Sequence, residues 1–524
     1  MFVRAPAPSD NRFEPLPAAT TRPLILGLAL SALSAVPGQP PAAAAGARTE
    51  IELGVEELQL ENGMTILLVE RPSSPDVAAG WVVGSGSADD PAAHRGLAHV
   101  VEHLMFKGSR TIATRDYATE MRLIREIDEL RGILDELEQR GKQRSRKAGE
   151  LDNRLTALEE QRQRLLRPGE LALHYSEAGA SALNAFTFED FSMYFVRVPA
   201  GKLELWFWLE SDRLREPVFR EFHKEKGIIR EEVEQRIGST PTGRSDQALR
   251  ETFWGDSSYG WRSLGRIDDL DRLRQADAES FFQRHYGAAN LTAVIVGRFD
   301  RSRAKELARR YFAPLAGPAP PPRATTTESR SSKRSFETGC DCPTQARVLY
   351  PSVPFRHSDS YALQVLAGVL NGRTGRLYRS LVLDQKIAFA ASASQISYRD
   401  AGYFEFSAET KGAATPEDLV AAWDRELDRL LSTQITDQEL RKVKNQVIAH
   451  SLRGLRRPTD LARQLLIYAG LGGWRQIEDW PRRIDEVSAS QARKIGATLL
   501  RPDNRLVAHY RGTGDTASTV EEPD

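Results

Sequence analysis

Between residues 314 and 333 the chain is rich in Pro, Ala, Thr and Ser and shows no hydrophobic period. Such a stretch has no apolar face to bury and acts as a linker. It separates residues 49–313 from 334–511, and each of these must close a core of its own. The 524 residues, 40% of them hydrophobic, are in any case too many for one core.

Both parts mix strands with helices. In the first, Glu57 to Val69 alternates around the turn Glu61-Asn62-Gly63, Val77 to Val83 reads as a further strand, and Gly96 to Lys107 turns helical. Phe191 to Val198 is extended again. Leu203 to Leu214 reads as a helix with Trp206, Phe207 and Trp208 on its apolar side, and another helix runs from about Phe219 to Arg236. The strand Leu291 to Val296 closes this half. The second part repeats the ingredients, with strands near Gln345 to Tyr350, Tyr403 to Thr410 and Arg505 to Tyr510. Its helices fall near Tyr361 to Leu370, Pro416 to Ser432 and Asp437 to Leu452. Helix pairs beside antiparallel strands in both parts predict an α+β duplication.

Residues 117–168 differ in kind. Ile127, Leu130, Leu134 and Leu137 step 3-4-3, and Leu151, Leu155 and Leu158 step 4-3, on a background of Glu, Arg and Gln. Two antiparallel coiled-coil arms are expected, with the tip between Gln139 and Gly149 and the end at Pro168-Gly169.

The remaining features exclude more than they assign. The 72 Lys+Arg cancel the 72 Asp+Glu, so nothing favours nucleic acid as a partner. Cys340 and Cys342 are too few for a disulfide scaffold and read as a surface loop or a local disulfide. Within residues 1–48, Leu24 to Val36 is apolar and uncharged, follows Arg22 and leads into Ala42 to Ala45, the pattern of an export signal. It is too short for a stable membrane span. Residues 512–524 form a polar, acidic tail.

The chemistry concentrates in His99-Val100-Val101-Glu102-His103. On a helix, positions i, i+3 and i+4 share a face, so both imidazoles can meet one ion with Glu102 beside it. Zinc suits imidazole nitrogen, and a catalytic zinc keeps three protein ligands and an open position. Glu102 would then be the general base. The apolar Ala98, Val100, Val101 and Leu104 around the histidines make an unliganded pair uncomfortable there.

The run Gly96 to Gly108 resembles the inverted zinc motif, His-x-x-Glu-His, of the pitrilysin/insulinase peptidases. Asn184-Ala185-Phe186-Thr187, followed by Asp190, Ser192 and Tyr194, resembles that family's Asn-Ala-x-Thr edge strand. The resemblance implies that Asn184, Ala185 and Thr187 hold an extended substrate through its backbone. Pro217 to Glu232 resembles the helix that supplies the third ligand. Laid on the family's two glutamates seven apart, Glu232 becomes the ligand and Glu225 the supporting carboxylate, with Glu231 the alternative. The resemblance spans about residues 50–510 and implies two linked α+β halves enclosing a cavity. The helical insertion looks like that of a bacterial branch, which places the exported chain in the periplasm or outside the cell.

Two departures stand out. Where many members carry a substrate-binding Arg and Tyr, this chain has Val382 and Phe389, leaving Arg373, Arg376 or Tyr378 as substitutes. The other option is pairing, as a homodimer or with a different subunit that supplies the Arg and Tyr. The usual His-Pro-Tyr reads Ser257-Ser258-Tyr259 instead, which weakens substrate contacts there. The expected function is a zinc endopeptidase, one Zn2+ per chain, acting on extended peptides or unfolded segments. A non-catalytic partner subunit is the alternative, and a zinc hydrolase of non-peptide amides is a third.

Overall fold

The computed structural model describes residues 52–141, 145–317, 320, 323 and 335–513. The export signal, most of the linker and the tail beyond 513 therefore lie outside the described residues.

The first half begins β1 (Glu56–Gln59), β2 (Thr65–Glu70), β3 (Asp76–Val83) and α1 (Leu97–Leu104). Helices α2 (Tyr117–Gln139), α3 (Arg146–Leu165) and α4 (Glu170–Glu177) follow, then β4 (Ser181–Thr187) and β5 (Ser192–Pro199). Five helices come next: α5 (Leu203–Arg215), α6 (Phe222–Val233), α7 (Gly243–Trp254), α8 (Ile267–Arg272) and α9 (Gln275–His285). The half closes with β6 (Leu291–Gly297) and α10 (Arg301–Phe312). The second half runs β7 (Ser335–Cys340), β8 (Gln345–Ser352), α11 (Asp359–Leu370), β9 (Ala388–Ser397) and β10 (Gly402–Thr410). It continues through α12 (Pro416–Ser432), α13 (Asp437–Gly454), α14 (Pro458–Gly470), α15 (Gln476–Glu486) and α16 (Ala489–Leu499) to β11 (Leu506–Gly512).

Strand order is β1-β2-β6-β3-β5-β4 in one sheet and β7-β11-β8-β10-β9 in the other. In each, β2 with β6 and β7 with β11 are the parallel pairs, and the other pairings are antiparallel. Strands β2 to β6 thus match β7 to β11 one for one in chain order, neighbours and direction. The helices follow suit, since α1 and α11 leave the second strand of each set and α5 to α9 stand where α12 to α16 stand. The duplication expected from the pattern of strands and helices is therefore a property of the topology. Between α1 and β4 the first half adds α2, α3 and α4.

Strands β2, β3 and β6 are buried on both faces, which is why they read as nearly continuous apolar runs. Ile66, Leu68, Trp81 and Ile295 face α1, α5 and α10. Leu67, Val69, Ala78, Val82, Val294 and Val296 face the other way, onto Leu461, Leu465 and Leu466 of α14. A helix of the second half thus covers the first sheet. The counterpart of α14 is α7, which packs on β7 and β11 of the second sheet and sends Ser245 to Thr338 and Asp246 to Tyr510. Each half lends the other one helix.

Helices α2 and α3 form an antiparallel hairpin seamed by Leu123, Ile127, Leu130 and Leu158, with Leu151, Leu155 and Leu165 partly buried. Leu134 and Leu137, nearer the tip, are only half-buried. One expectation needs correction. Trp206 and Phe207 are buried, but Trp208 is 41% exposed, because three consecutive helical residues cannot share one face. Ser257, Ser258 and Tyr259 are buried in the seam between the halves, where the Tyr259 hydroxyl donates to Asp190 at 2.8 Å, in keeping with the weakened substrate contacts expected there. Cys340 and Cys342 are joined as a local disulfide at the end of β7.

Candidate metal centre

Helix α1 is short and nearly all buried, with Leu97, Ala98, Val100, Val101 and Leu104 no more than 2% exposed. Its start is fixed by Asp90, whose carboxylate accepts the Gly96 and Ala98 amides at 2.7 and 2.8 Å. These are amides that no helical carbonyl can reach. Gly96 itself has φ +96°, and a Cβ there would stand 3.0 Å from the Leu264 carbonyl oxygen. The register of α1, and with it the direction of both histidines, is locked before α6 is considered.

Helix α6 crosses α1 and brings Glu232 to the histidines. Glu232 Oε2 lies 3.7 Å from His99 Nε2 and 3.6 Å from His103 Nε2. The ligand atoms of these three residues all lie within 4.8 Å of one another. These separations are too long for hydrogen bonds. They approach the roughly 3.3 Å expected between ligand atoms that share one tetrahedral zinc at about 2.0–2.1 Å. Two imidazoles and one carboxylate also match the donor set of a catalytic zinc site. Glu231, the alternative ligand, is turned to solvent.

A layer of supporting groups surrounds the three. Glu225, two turns before Glu232, accepts from His103 Nδ1 at 3.2 Å and pairs with Lys107 Nζ at 2.5 Å. Arg236 Nη2 sits 2.9 Å from the outer oxygen of Glu232. The chain there passes from α6 into a π-helical turn, Glu234–Gly238. Neither Lys107 nor Arg236 was expected from the sequence. The signal for Arg236 was its i, i+4 spacing from Glu232. Lys107 has the same spacing from His103, but its partner is 118 residues away in sequence (225 − 107).

Glu102 is 8% exposed, and burial pushes its carboxyl up to about 7. Burial, helped by the neighbouring His103, holds His99 down at about 3, so it presents a neutral imidazole. Burial works against charge on His103 too, yet Glu225 and Glu232 prevail and raise it to about 9. Glu232 goes the other way: despite burial, His103, His99 and Arg236 lower it to about 2. Burial likewise opposes ionisation of Glu225, but His103 and Lys107 draw it below the ordinary carboxylate range.

Asn184, Ala185 and Thr187 lie on β4, the outermost strand of its sheet, which packs beside α1. Asn184 is exposed, and its side-chain oxygen accepts the Ala185 amide at 2.9 Å. Thr187 departs from the expected substrate contact. Its hydroxyl turns inward, donates to Glu102 Oε2 at 2.5 Å and meets Ser192 Oγ at 3.1 Å. In the second half, Phe389 is 61% exposed and Val382 packs against the core. Arg376 is held by both oxygens of Glu439 at 2.9 and 3.0 Å and is not free for a substrate. Where α1 and α6 meet through ligands, their counterparts α11 and α13 meet through Gly368 against Val443 and Val447.

The family model described as insulinase, peptidase family M16, matches residues 65–124, and that of the peptidase M16 inactive domain matches residues 272–447. The zinc protease PqqE of Helicobacter pylori is 22% identical over 454 residues, covering 84% of this chain and 89% of that protein. A crystal structure of a protease from Helicobacter pylori superposes with a TM-score of 0.71 at 20% identity, covering 87% of this chain and 99% of that one. The periplasmic protease PqqL of Escherichia coli gives 0.68 at 17% identity, covering 90% of this chain and 49% of that one.

Proposed function

The chain belongs to the insulinase family of peptidases, family M16, and from that premise we propose that it is a zinc-dependent endopeptidase acting on extended peptides or unfolded segments. The observation that carries this reading is the convergence of His99 Nε2, His103 Nε2 and Glu232 Oε2 beside the buried Glu102. These three side chains would hold one zinc ion, which supplies Lewis acidity to a scissile carbonyl and makes water acidic enough to yield its proton near neutral pH.

This chain's residues do the rest. Glu102, on the same helix face and held by Thr187, takes the proton of the attacking water and returns it to the leaving amine. Glu225 fixes the His103 ring through Nδ1, leaving Nε2 to face the centre. Ala185 and Asn184 would align the substrate as an added strand on β4. The Ala185 amide is held by the Asn184 side chain, so an incoming strand would exchange one partner for another. Recognition of this kind reads main chain rather than side chain.

Export is part of the proposal. It rests on the apolar run Leu24 to Val36 and is in keeping with PqqL, a periplasmic protease. Among the described residues no helix is long and apolar enough to cross a membrane. The second reading, a partner subunit without activity of its own, draws on Val382 and the exposed Phe389, where a polar substrate contact is wanted. Pairing with a second copy or another subunit would supply that contact.

Zinc content and cleavage of a library of unstructured peptides, measured together on the full chain with a Glu102→Gln control, test both readings. Near-stoichiometric zinc with chelator-sensitive cleavage that the control lacks supports the endopeptidase. Zinc without cleavage favours the partner subunit, and no zinc sinks both forms of the metal centre.

A further inference from the structure

The helical hairpin has no part in the chemistry above, yet a continuous path of polar contacts, buried at the hairpin end, joins it to His103. At its base, Glu120 of α2 is 0% exposed and forms a bidentate pair with Arg220, itself 2% exposed, at 2.7 and 2.9 Å. The same guanidinium donates to the Lys107 and Ile112 carbonyls at 3.1 and 3.2 Å and to the Ser109 carbonyl at 2.7 Å. All five of its N–H donors can be engaged in this way, an arrangement that fits a planar fork and would not fit lysine. Arg220 therefore fastens the loop that follows α1 to the hairpin. From that loop Lys107 reaches back to Glu225 Oε1 at 2.5 Å, while Glu225 Oε2 meets His103 Nδ1 at 3.2 Å. Glu225 is 3% exposed and is shared, one oxygen to each cation-forming group.

We propose that Lys107 is a positioning residue for His103, acting through Glu225, and that the Glu120–Arg220 pair ties the hairpin to it, so that hairpin and metal centre form one mechanical unit. The inference rests on the metal centre proposed above. Without Lys107, Glu225 would be free to turn about its side-chain bonds, and the His103 ring would lose the partner that fixes its direction. Groups that support a ligating histidine in this way typically contribute 10–100-fold to metal affinity. Without the Glu120–Arg220 pair, the loop from 107 to 112 would lose the donors that gather its carbonyls.

The test is zinc affinity, measured on the metal-stripped full chain by competition with a coloured chelator, with the absorption of the cobalt(II)-substituted protein as a second readout. Lys107→Met should weaken zinc binding about 10–100-fold and alter the cobalt spectrum. Lys107→Arg, which keeps a cation opposite Glu225, should recover most of the affinity. Because removing Glu120 alone strands a buried charge and threatens folding, the hairpin link is tested with Glu120→Met and Arg220→Met together. That pair should weaken zinc binding in the same direction. Adding Lys107→Met to it should cost less than the product of the separate losses, since both act along one path.

Unchanged zinc affinity and cobalt spectrum in Lys107→Met, with normal binding by the unmodified chain, would overturn the inference while leaving the metal centre standing. Losses that simply multiply would sever the hairpin from the rest. Absence of zinc binding by the unmodified chain would remove the metal centre, and this inference with it.

Discussion

Thr187 and Glu102 face one another across the gap between β4 and α1, the threonine hydroxyl donating to the carboxylate at 2.5 Å. A hydrogen bond to a buried charged group contributes more than a neutral one. It also dictates which oxygen of Glu102 remains available to the attacking water. Replacing Thr187 with Val, which keeps the shape and removes the donor, should lower kcat about 10–100-fold and leave KM near its original value. Thr187→Ser should retain most activity. A rise in KM with kcat intact would return Thr187 to the role of substrate contact.

Adjacent glutamates give a sharper contrast. Glu232 points at both histidines and Glu231 at solvent. Glu232→Gln should reduce zinc affinity by more than the roughly 10–100-fold attached to supporting groups, and Glu231→Gln should leave it unchanged. Chelator competition measures both, and equal losses would mean that the face of α6 has been misread.

Leu465 on α14 is fully buried against the first sheet. Leu465→Ala should destabilise the protein by about 2–5 kcal/mol. Because α14 belongs to one half and covers the other, the loss should appear in a single unfolding transition. Two separate transitions in calorimetry would show that the halves fold independently.

Acid titration offers a check far from the metal. Arg376 holds Glu439 below the ordinary carboxylate range through two hydrogen bonds. A depressed folded pKa stabilises the protein above the unfolded value of about 4.3. That stability disappears as pH falls through the folded value. The pair is partly exposed, so its contribution is at most about 1 kcal/mol. Glu439→Gln should therefore lower stability at pH 7 and converge on the original protein in acid. A difference that persists unchanged at low pH would refute the assignment.

Much of this architecture is legible in the residues. The face shared by His99, Glu102 and His103 follows from helical period, and two α+β halves follow from the mixture of strands and helices in each. The seam of the hairpin was marked by Ile127, Leu130 and Leu158. What stayed hidden depends on partners distant in sequence. The apolar stripe of α14 announces that Leu461 and Leu465 are buried, but nothing in it names a sheet built from residues nearly four hundred positions earlier. Trp208 failed for a local reason, since aromatic character says less than angular position. Thr187 was misplaced because a family motif carries residue identity but not which way a hydroxyl turns. Lys107 and Arg220 were illegible because their work lies in carbonyl and carboxylate contacts that leave no periodic trace.

The exchange of α7 and α14 has a consequence for how such a chain can be divided. The two halves are clasped by each other's helix, and within the joint Arg323 is pinned in the seam by Asp89 at 2.6 and 2.9 Å and by Asp190 and Asp400. A chain ending before 314 is a different object, because it would offer Leu67, Ala78, Val82 and Val294 bare to water. Truncation at the joint is thus a route to aggregation.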